Sequence, residues 1–222
     1  MWLQRGLAAN TLQAYRRDLE TFAKWLAPRS LDRAGTDDLF EFLGERQAAG
    51  YSSRSTARLL SCLRGFYRQL AEQGMVTVDP TQRLDLPKLG RRLPESLSEA
   101  QVTALLEAPD CDQPIGLRDR SMLELLYATG LRVSELIGLK LSMLNLRQGV
   151  VRVVGKGGRE RLVPVGEEAL DWLQRYLAGG RALLLGERTS DVLFPSRRGR
   201  AMTRQTFWYA VKRYASQAGM RV

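Results

Sequence analysis

ATGLRVSELIGLKLSMLNLRQGVVRVVGKGGRERLVPV, residues 128–165, carries two periodicities in succession. Thr129 and Gly130 stop a preceding helix, and a short helix follows from Ser134 to about Leu139. After Gly149 the pattern changes to VVRVV, a glycine-rich turn at GKGGR, and ERLVPV, which is a β-hairpin rich in branched residues. A helical region that turns into one hairpin implies a mixed, mainly helical domain with a small antiparallel sheet.

Outward from this stretch the helical signals dominate. Ser98 and Gln101 form a capping box for a helix reaching about Glu107, and Leu117 to Ala128 reads as a helix with Met122, Leu123, Leu125 and Leu126 inward. GEEALDWLQRYLAG is a further helix, DVLFPS a short extended segment, and RRGR a basic loop before a last helix from Thr203 or Arg204 to Ala218. Upstream, Leu12, Tyr15, Leu19, Phe22 and Leu26 mark one helix face from Asn10, which is its expected cap. Thr36 opens a second helix, and Ser52 with Ser53 opens a third whose stripe runs from Thr56 to Leu70. Between Asp79 and Pro94 three prolines, a glycine and no helical period mark an interdomain linker.

Composition bounds the function classes. The 222 residues suffice for two domains with their own cores, and 34 Lys+Arg against 24 Asp+Glu leave a net charge of +10. Divided at Gly90, the halves carry +3 and +7, and only five of the basic residues are lysines. Arginine's planar fork suits bidentate contact with phosphate oxygens, so the bias points to nucleic acid, although genome composition produces the same bias. These residues contain no histidine, which removes histidine general-base catalysis, Ser-His-Asp hydrolysis and most zinc chemistry from what they alone can do. Cys62 and Cys111 read as free thiols, and no signal peptide or membrane span is evident, so the expected location is cytoplasmic.

Three places carry candidate chemistry. Arg132 follows the Gly130 turn at a helix entry, where free N–H groups and a guanidinium together suit an anion, and Glu135 is placed to orient it. An ordinary surface ion pair, worth under about 1 kcal/mol, has the same spacing. Lys156 sits at the tip of a glycine-flanked hairpin, as a flexible ammonium or simply a turn residue, with Arg159 and Arg161 beside it as phosphate contacts. Arg204 and Gln205 begin the last helix, and these side-chain types read guanine and adenine edges, whereas RRGR with Arg198 suits phosphates. A plain capped helix with a polar first turn is the alternative. On the third helix of the first half, Arg54 and Arg58 belong to a face with four arginines and no acid, expected to lie on a DNA backbone.

The box around Arg132 and the hairpin with GKG at its turn resemble the tyrosine recombinase (phage integrase) family. NTLQAYRRDLETFAKWL, STARLLS, RLPESLSEAQV and MTRQTFW are similar to its XerD branch in particular, and the likeness covers nearly the whole chain. The resemblance implies a mainly α fold: an all-α, SAM-like core-binding domain at 1–88 and an α+β catalytic domain at 93–222, closing on duplex DNA as a clamp. It implies site-specific recombination through a 3′-phosphotyrosine, without metal or nucleotide cofactor, with Arg132 holding the scissile phosphate and Lys156 as mobile general acid. Implied partners are a double-stranded recombination site, a XerC-like recombinase in a heterotetramer, and a septum-associated DNA translocase as activator, in the service of chromosome dimer resolution. A phage or mobile-element integrase shares the same residues and recombines other sites. The family's histidine-and-arginine box and its nucleophilic tyrosine match nothing in these residues, so the expectation for residues 1–222 alone is DNA binding without cleavage. Met143 stands where the family pattern suggests an aspartate.

Overall fold

The computed structural model describes residues 9–85, 96–155 and 158–221 and divides the chain into two units, Met1–Pro94 and Glu95–Val222. In the first unit the stripes dictate three helices: α1 (Ala9–Leu26), α2 (Thr36–Ala48) and α3 (Ser53–Glu72). Phe22 and Leu26 of α1, Leu39 and Phe42 of α2, and Leu59, Leu60, Leu63, Tyr67 and Leu70 of α3 close one core. Asn10 lies inside α1 rather than capping it, because Ala9 is already helical. The entry to α2 is satisfied locally, with the Gly35 N–H donating to the Asp38 carboxylate at 2.8 Å. The Ser52 hydroxyl accepts from Ser55 N at 3.2 Å and caps α3.

The front of the expected linker is not free chain. Leu84 is buried in the first core, and its carbonyl accepts from the Arg64 guanidinium. Asp79 Oδ1 accepts from both the N–H and the hydroxyl of Thr81, at 2.8 and 2.6 Å. Proline and missing periodicity exclude a helix there, but they do not exclude packing. The remainder, residues 86–95, lies outside the described residues.

The second unit begins with α4 (Glu99–Glu107), where Ser98 Oγ accepts from Gln101 N at 3.3 Å and Gln101 Oε1 accepts from Ser98 N at 2.9 Å. Helix α5 (Pro114–Thr129) has proline in its first turn and ends at Gly130, whose φ of +60° supplies the left-handed stop. It packs against α4, α6 (Val133–Ile137), α7 (Glu167–Arg175) and α8 (Arg181–Leu185). Being covered on several sides, α5 buries Met122 and Leu125 and also Arg118, Asp119 and Glu124. The helix expected to continue through GEEALDWLQRYLAG is interrupted after α7 by a π turn, Tyr176–Gly180. A Cβ on Gly180 would meet Leu117 Cδ2 at 2.8 Å, so a larger residue there would require the end of the Leu117 side chain to shift.

Strands β1 (Leu144–Asn145), β2 (Val150–Val154) and β3 (Glu160–Pro164) form an antiparallel sheet in the order β1-β2-β3. Val165 N donates to Gly149 O at 2.8 Å and Gly155 N to Arg159 O at 2.7 Å, which sets the alternation of the β2–β3 ladder. Val151 opposite Val163 and Val153 opposite Arg161 are then the bonded pairs, while Leu162 and Pro164 turn their backbone groups away from β2. Proline thus sits where the ladder needs no N–H. The same register puts Arg161 on the side of the buried Val151 and Val153, facing α6. The last helix is α9 (Arg204–Gln217), which packs against α6 and buries Phe207 and Tyr214 seven residues apart on one face. The fold is mainly helical with one small sheet, as the two periodicities imply.

Candidate functional site

Gly130 reverses the chain, Leu131 is buried, and Arg132 becomes the residue that caps α6 in extended geometry (φ −68°, ψ 145°). Its backbone N–H donates to Glu135 Oε2 at 2.9 Å, and its guanidinium reaches Glu135 Oε1 at 3.2 Å. That single contact leaves the Arg132 side chain 75% exposed. From β3, Arg161 approaches the same carboxylate in a fork, with both bonds at 2.9 Å. The Arg161 hydrogen bonds, opposed by desolvation and aided by the Arg132 backbone and side chain, hold the Glu135 carboxyl down at about 2. Two guanidinium groups therefore converge on one acid: Arg161 neutralises it, and Arg132 is oriented by it while staying open to solvent.

The other expected residues fall into committed and open groups. The Arg159 side chain is exposed on the hairpin and pairs with no described residue, while its carbonyl accepts from Gly155 N. Lys156 lies outside the described residues. In the basic loop, Ser196 N donates to Arg200 O and Gly199 N to Ser196 O, both at 2.8 Å, giving a tight turn from which Arg198 projects exposed. Thr203 Oγ1 accepts from Thr206 N at 3.1 Å, so Arg204 and Gln205 occupy the exposed first turn of α9. Trp208 and Lys212 extend the Arg204 row at four-residue steps, the ammonium lying 4.4 Å from the centre of the half-exposed Trp208 ring. Trp208 and Lys212 were not among the expected site residues, although their four-residue spacing from Arg204 is legible in the sequence.

In the first unit, Arg54 is exposed and without a described partner, whereas Arg58 grips Asp18 at 2.6 and 2.9 Å. Burial pushes the Asp18 carboxyl upward, with Arg58 pulling the other way. No helix among the described residues is long and apolar enough to cross a membrane.

A second carboxylate between arginines escaped the sequence reading. Asp119 Oδ1 accepts from Arg118 Nε and an Arg118 terminal nitrogen at 2.9 and 2.7 Å, and Arg118 also donates to Pro195 O at 2.9 Å. Asp119 Oδ2 accepts from the Tyr214 hydroxyl at 2.8 Å, and that hydroxyl accepts from Arg213 at 2.9 Å. The signal was the coverage of the front of α5 by its neighbours, which obliges the charges there to be buried and paired.

The tyrosines divide in the same way. Tyr67 donates to Leu31 O at 2.7 Å and Tyr176 to Leu193 O at 3.3 Å, and both are fully buried with their hydroxyls pushed up by desolvation. The Arg46 guanidinium lies 3.9 Å from the centre of the Tyr51 ring. Tyr127 and Tyr209 are exposed, and neither is hydrogen-bonded to Arg132 or Glu135.

Comparison with known proteins shows what the chain is similar to. Residues 95–221 match the phage integrase family, and residues 1–74 match the phage integrase N-terminal SAM-like domain. The chain is 59% identical over 222 residues to the tyrosine recombinase XerD of Pseudomonas aeruginosa, covering 99% of this chain and 74% of that protein. It is 57% identical to XerD of Pseudomonas putida, with the same coverage of 99% and 74%. Among solved structures, XerH bound to a palindromic difH substrate aligns with a TM-score of 0.77 at 21% identity, over 98% of this chain and 65% of that one. A lambda integrase dimer bound to a COC′ core site aligns at 0.74 with 20% identity, over 100% and 78%.

Proposed function

Since the chain belongs to the phage integrase family and is a XerD-type tyrosine recombinase, acting in site-specific DNA recombination, we propose that Arg132 is its scissile-phosphate clamp. The observation that carries this reading is the asymmetry at Glu135. Arg161 satisfies the acid through two bonds of 2.9 Å, which frees Arg132 to keep a guanidinium in solvent beside the N-terminus of α6. A phosphate there meets a charge that is already aimed, and charge building on its oxygens in the transition state is stabilised without reorganisation. Lys156, by family resemblance, protonates the departing 5′ oxygen, a role open to an ammonium and closed to a guanidinium.

Around this centre, Arg54, Arg58, Arg159, Arg161 and Arg198 serve phosphates, and Arg204 with Gln205 reads base edges. Arg58 and Arg161 serve from within ion pairs, which limits their share. The DNA-binding domain comprises residues 1–88 and the catalytic domain 93–222. The XerD relationship supports a XerC-like partner in a heterotetramer, activation by a septum-associated DNA translocase, and chromosome dimer resolution in the cytoplasm.

The test is a scan of single neutral methylphosphonates along a duplex selected from a randomised pool by the wild-type chain. One position should cost the wild type about 1.5–3 kcal/mol of binding, the range for a hydrogen bond to a charged group. The same position should cost Arg132→Ala nothing further. If every position costs Arg132→Ala as much as wild type, Arg132 clamps no phosphate.

A further inference from the structure

Helix α9 packs against α6 and the second unit's core along one face, through Phe207, Ala210, Val211 and the Tyr214 ring, and is also held by one contact of a different kind. Near its start Phe207, fully buried, packs into the core of the second unit, a contact without directional preference. Two turns on, the Tyr214 hydroxyl donates to Asp119 Oδ2, whose other oxygen is gripped by Arg118, and Arg118 in turn reaches Pro195 O. This second contact is directional, and it ties α9 to the start of α5 and to the segment before the basic loop. Little else restrains that flank. A cleft of about 1210 Å³ runs along it, bordered by Asp110, Leu184, Arg197, Thr206, Tyr209 and Arg213, so on that side the hydrogen-bonded bracket, rather than close packing, meets the helix.

We infer that the Asp119–Tyr214 hydrogen bond is a positioning contact for sequence reading, fixing the pose in which α9 presents Arg204 and Gln205. The inference rests on the proposed role of that helix start. Arg204 lies ten residues, about 15 Å of helix, from Tyr214. A tilt of about 5° over that length displaces the start by about 1.3 Å, more than the roughly 0.5 Å range of a good hydrogen bond. Bidentate base contacts fail under such a displacement, whereas a long arginine side chain re-aims at a phosphate. The bracket thus acts on discrimination rather than on affinity. Its acid is saturated: four donor contacts, two from Arg118, one from Tyr214 and a longer one from Arg213 at 3.8 Å, surround a side chain that is 2% exposed.

The experiment uses the 222-residue chain, a duplex selected by it from a randomised pool, and a random duplex of equal length, in competition titrations at fixed salt well below the melting temperature. Tyr214→Phe should lower the selected-over-random ratio at least fivefold and leave affinity for random duplex within twofold of wild type. Arg213→Gln, which alters a half-exposed side chain and so spares the fold, should lower the ratio two- to threefold. Arg204→Ala is run alongside. If Arg204→Ala erodes the ratio while Tyr214→Phe and Arg213→Gln preserve it, the bracket does not position the reader and the inference falls alone. If Arg204→Ala also preserves it, α9 is not the reader, and the inference falls with the reading beneath it. Equal loss for both duplexes with Tyr214→Phe also overturns it, because that marks damage to the whole domain.

Discussion

Glu135 and Asp119 are both carboxylates set between two arginines, yet one site is open and the other closed. Around Asp119 the partner Arg118 is 9% exposed and its donors are consumed by the acid and by Pro195 O. Around Glu135 the acid is buried, but Arg132 is 75% exposed and keeps one long contact of 3.2 Å. Both places set an acid among arginines, Asp119 with the Tyr214 hydroxyl in addition, and what separates a ligand site from a structural bracket is how many donors remain unspoken for. The difference originates in backbone position: Arg118 and Asp119 stand in the first turns of a helix covered by four others, whereas Arg132 stands at the cap of a five-residue helix behind a glycine turn.

The sharpest way to break the comparison is to remove each acid. Asp119→Ala leaves a buried guanidinium unpaired and should cost about 3–5 kcal/mol of unfolding free energy. Glu135→Ala loses a cap and a half-open pair and should cost about 1–2 kcal/mol. Urea titration of both variants measures this, and equal losses would erase the distinction.

A smaller effect sharpens it in the first unit, where Arg54 is open and Arg58 committed. Arg54→Ala should reduce the slope of log affinity against log salt by about 0.9, the value for one phosphate contact on duplex DNA. Arg58→Ala should change that slope by less than half as much and lower stability instead, since it strands the buried Asp18. Binding isotherms at four salt concentrations decide the matter, and a larger slope change for Arg58→Ala reverses the assignment.

The smallest effect is in the acid limb of stability. Glu135 is held at about 2 when folded against an ordinary 4.5, so the unfolded chain binds more protons between these values. Its contribution is complete above about pH 4.5 and is lost as pH falls toward 2. Glu135→Gln should therefore flatten the decline of stability across that window. An unchanged acid limb would mean that the arginines do not hold the carboxylate down.

What was readable in advance was local. The Ser98–Gln101 box, the Gly130 stop and the Thr203 cap are decided within three or four residues, and the structure has all three. The hairpin from Val150 to Pro164 was readable because branched residues flank a glycine turn. Strand β1 was not, since two residues carry no period and exist as a strand only by pairing with β2. The π turn at Tyr176–Gly180 has no local sequence signal, and it lies against Leu117, which is distant in sequence. The site divides likewise: Arg132 with Glu135 was visible at three residues' spacing, but Arg161 is 26 residues from Glu135 and Tyr214 is 95 from Asp119. A carboxylate's second partner is a property of the fold, and no spacing announces it.

Proline at the end of β3 has a consequence for crowding. Where several copies of a protein gather, local concentration favours strand-to-strand templating between neighbours. The sheet offers two margins to such growth. One is β1, two residues long and too short to seed a ladder, and the other is β3, whose outward row is broken at Pro164 and carries the charge of Glu160 at its opposite end. Neither margin offers a long unbroken row to a further strand, which disfavours polymerisation through the hairpin.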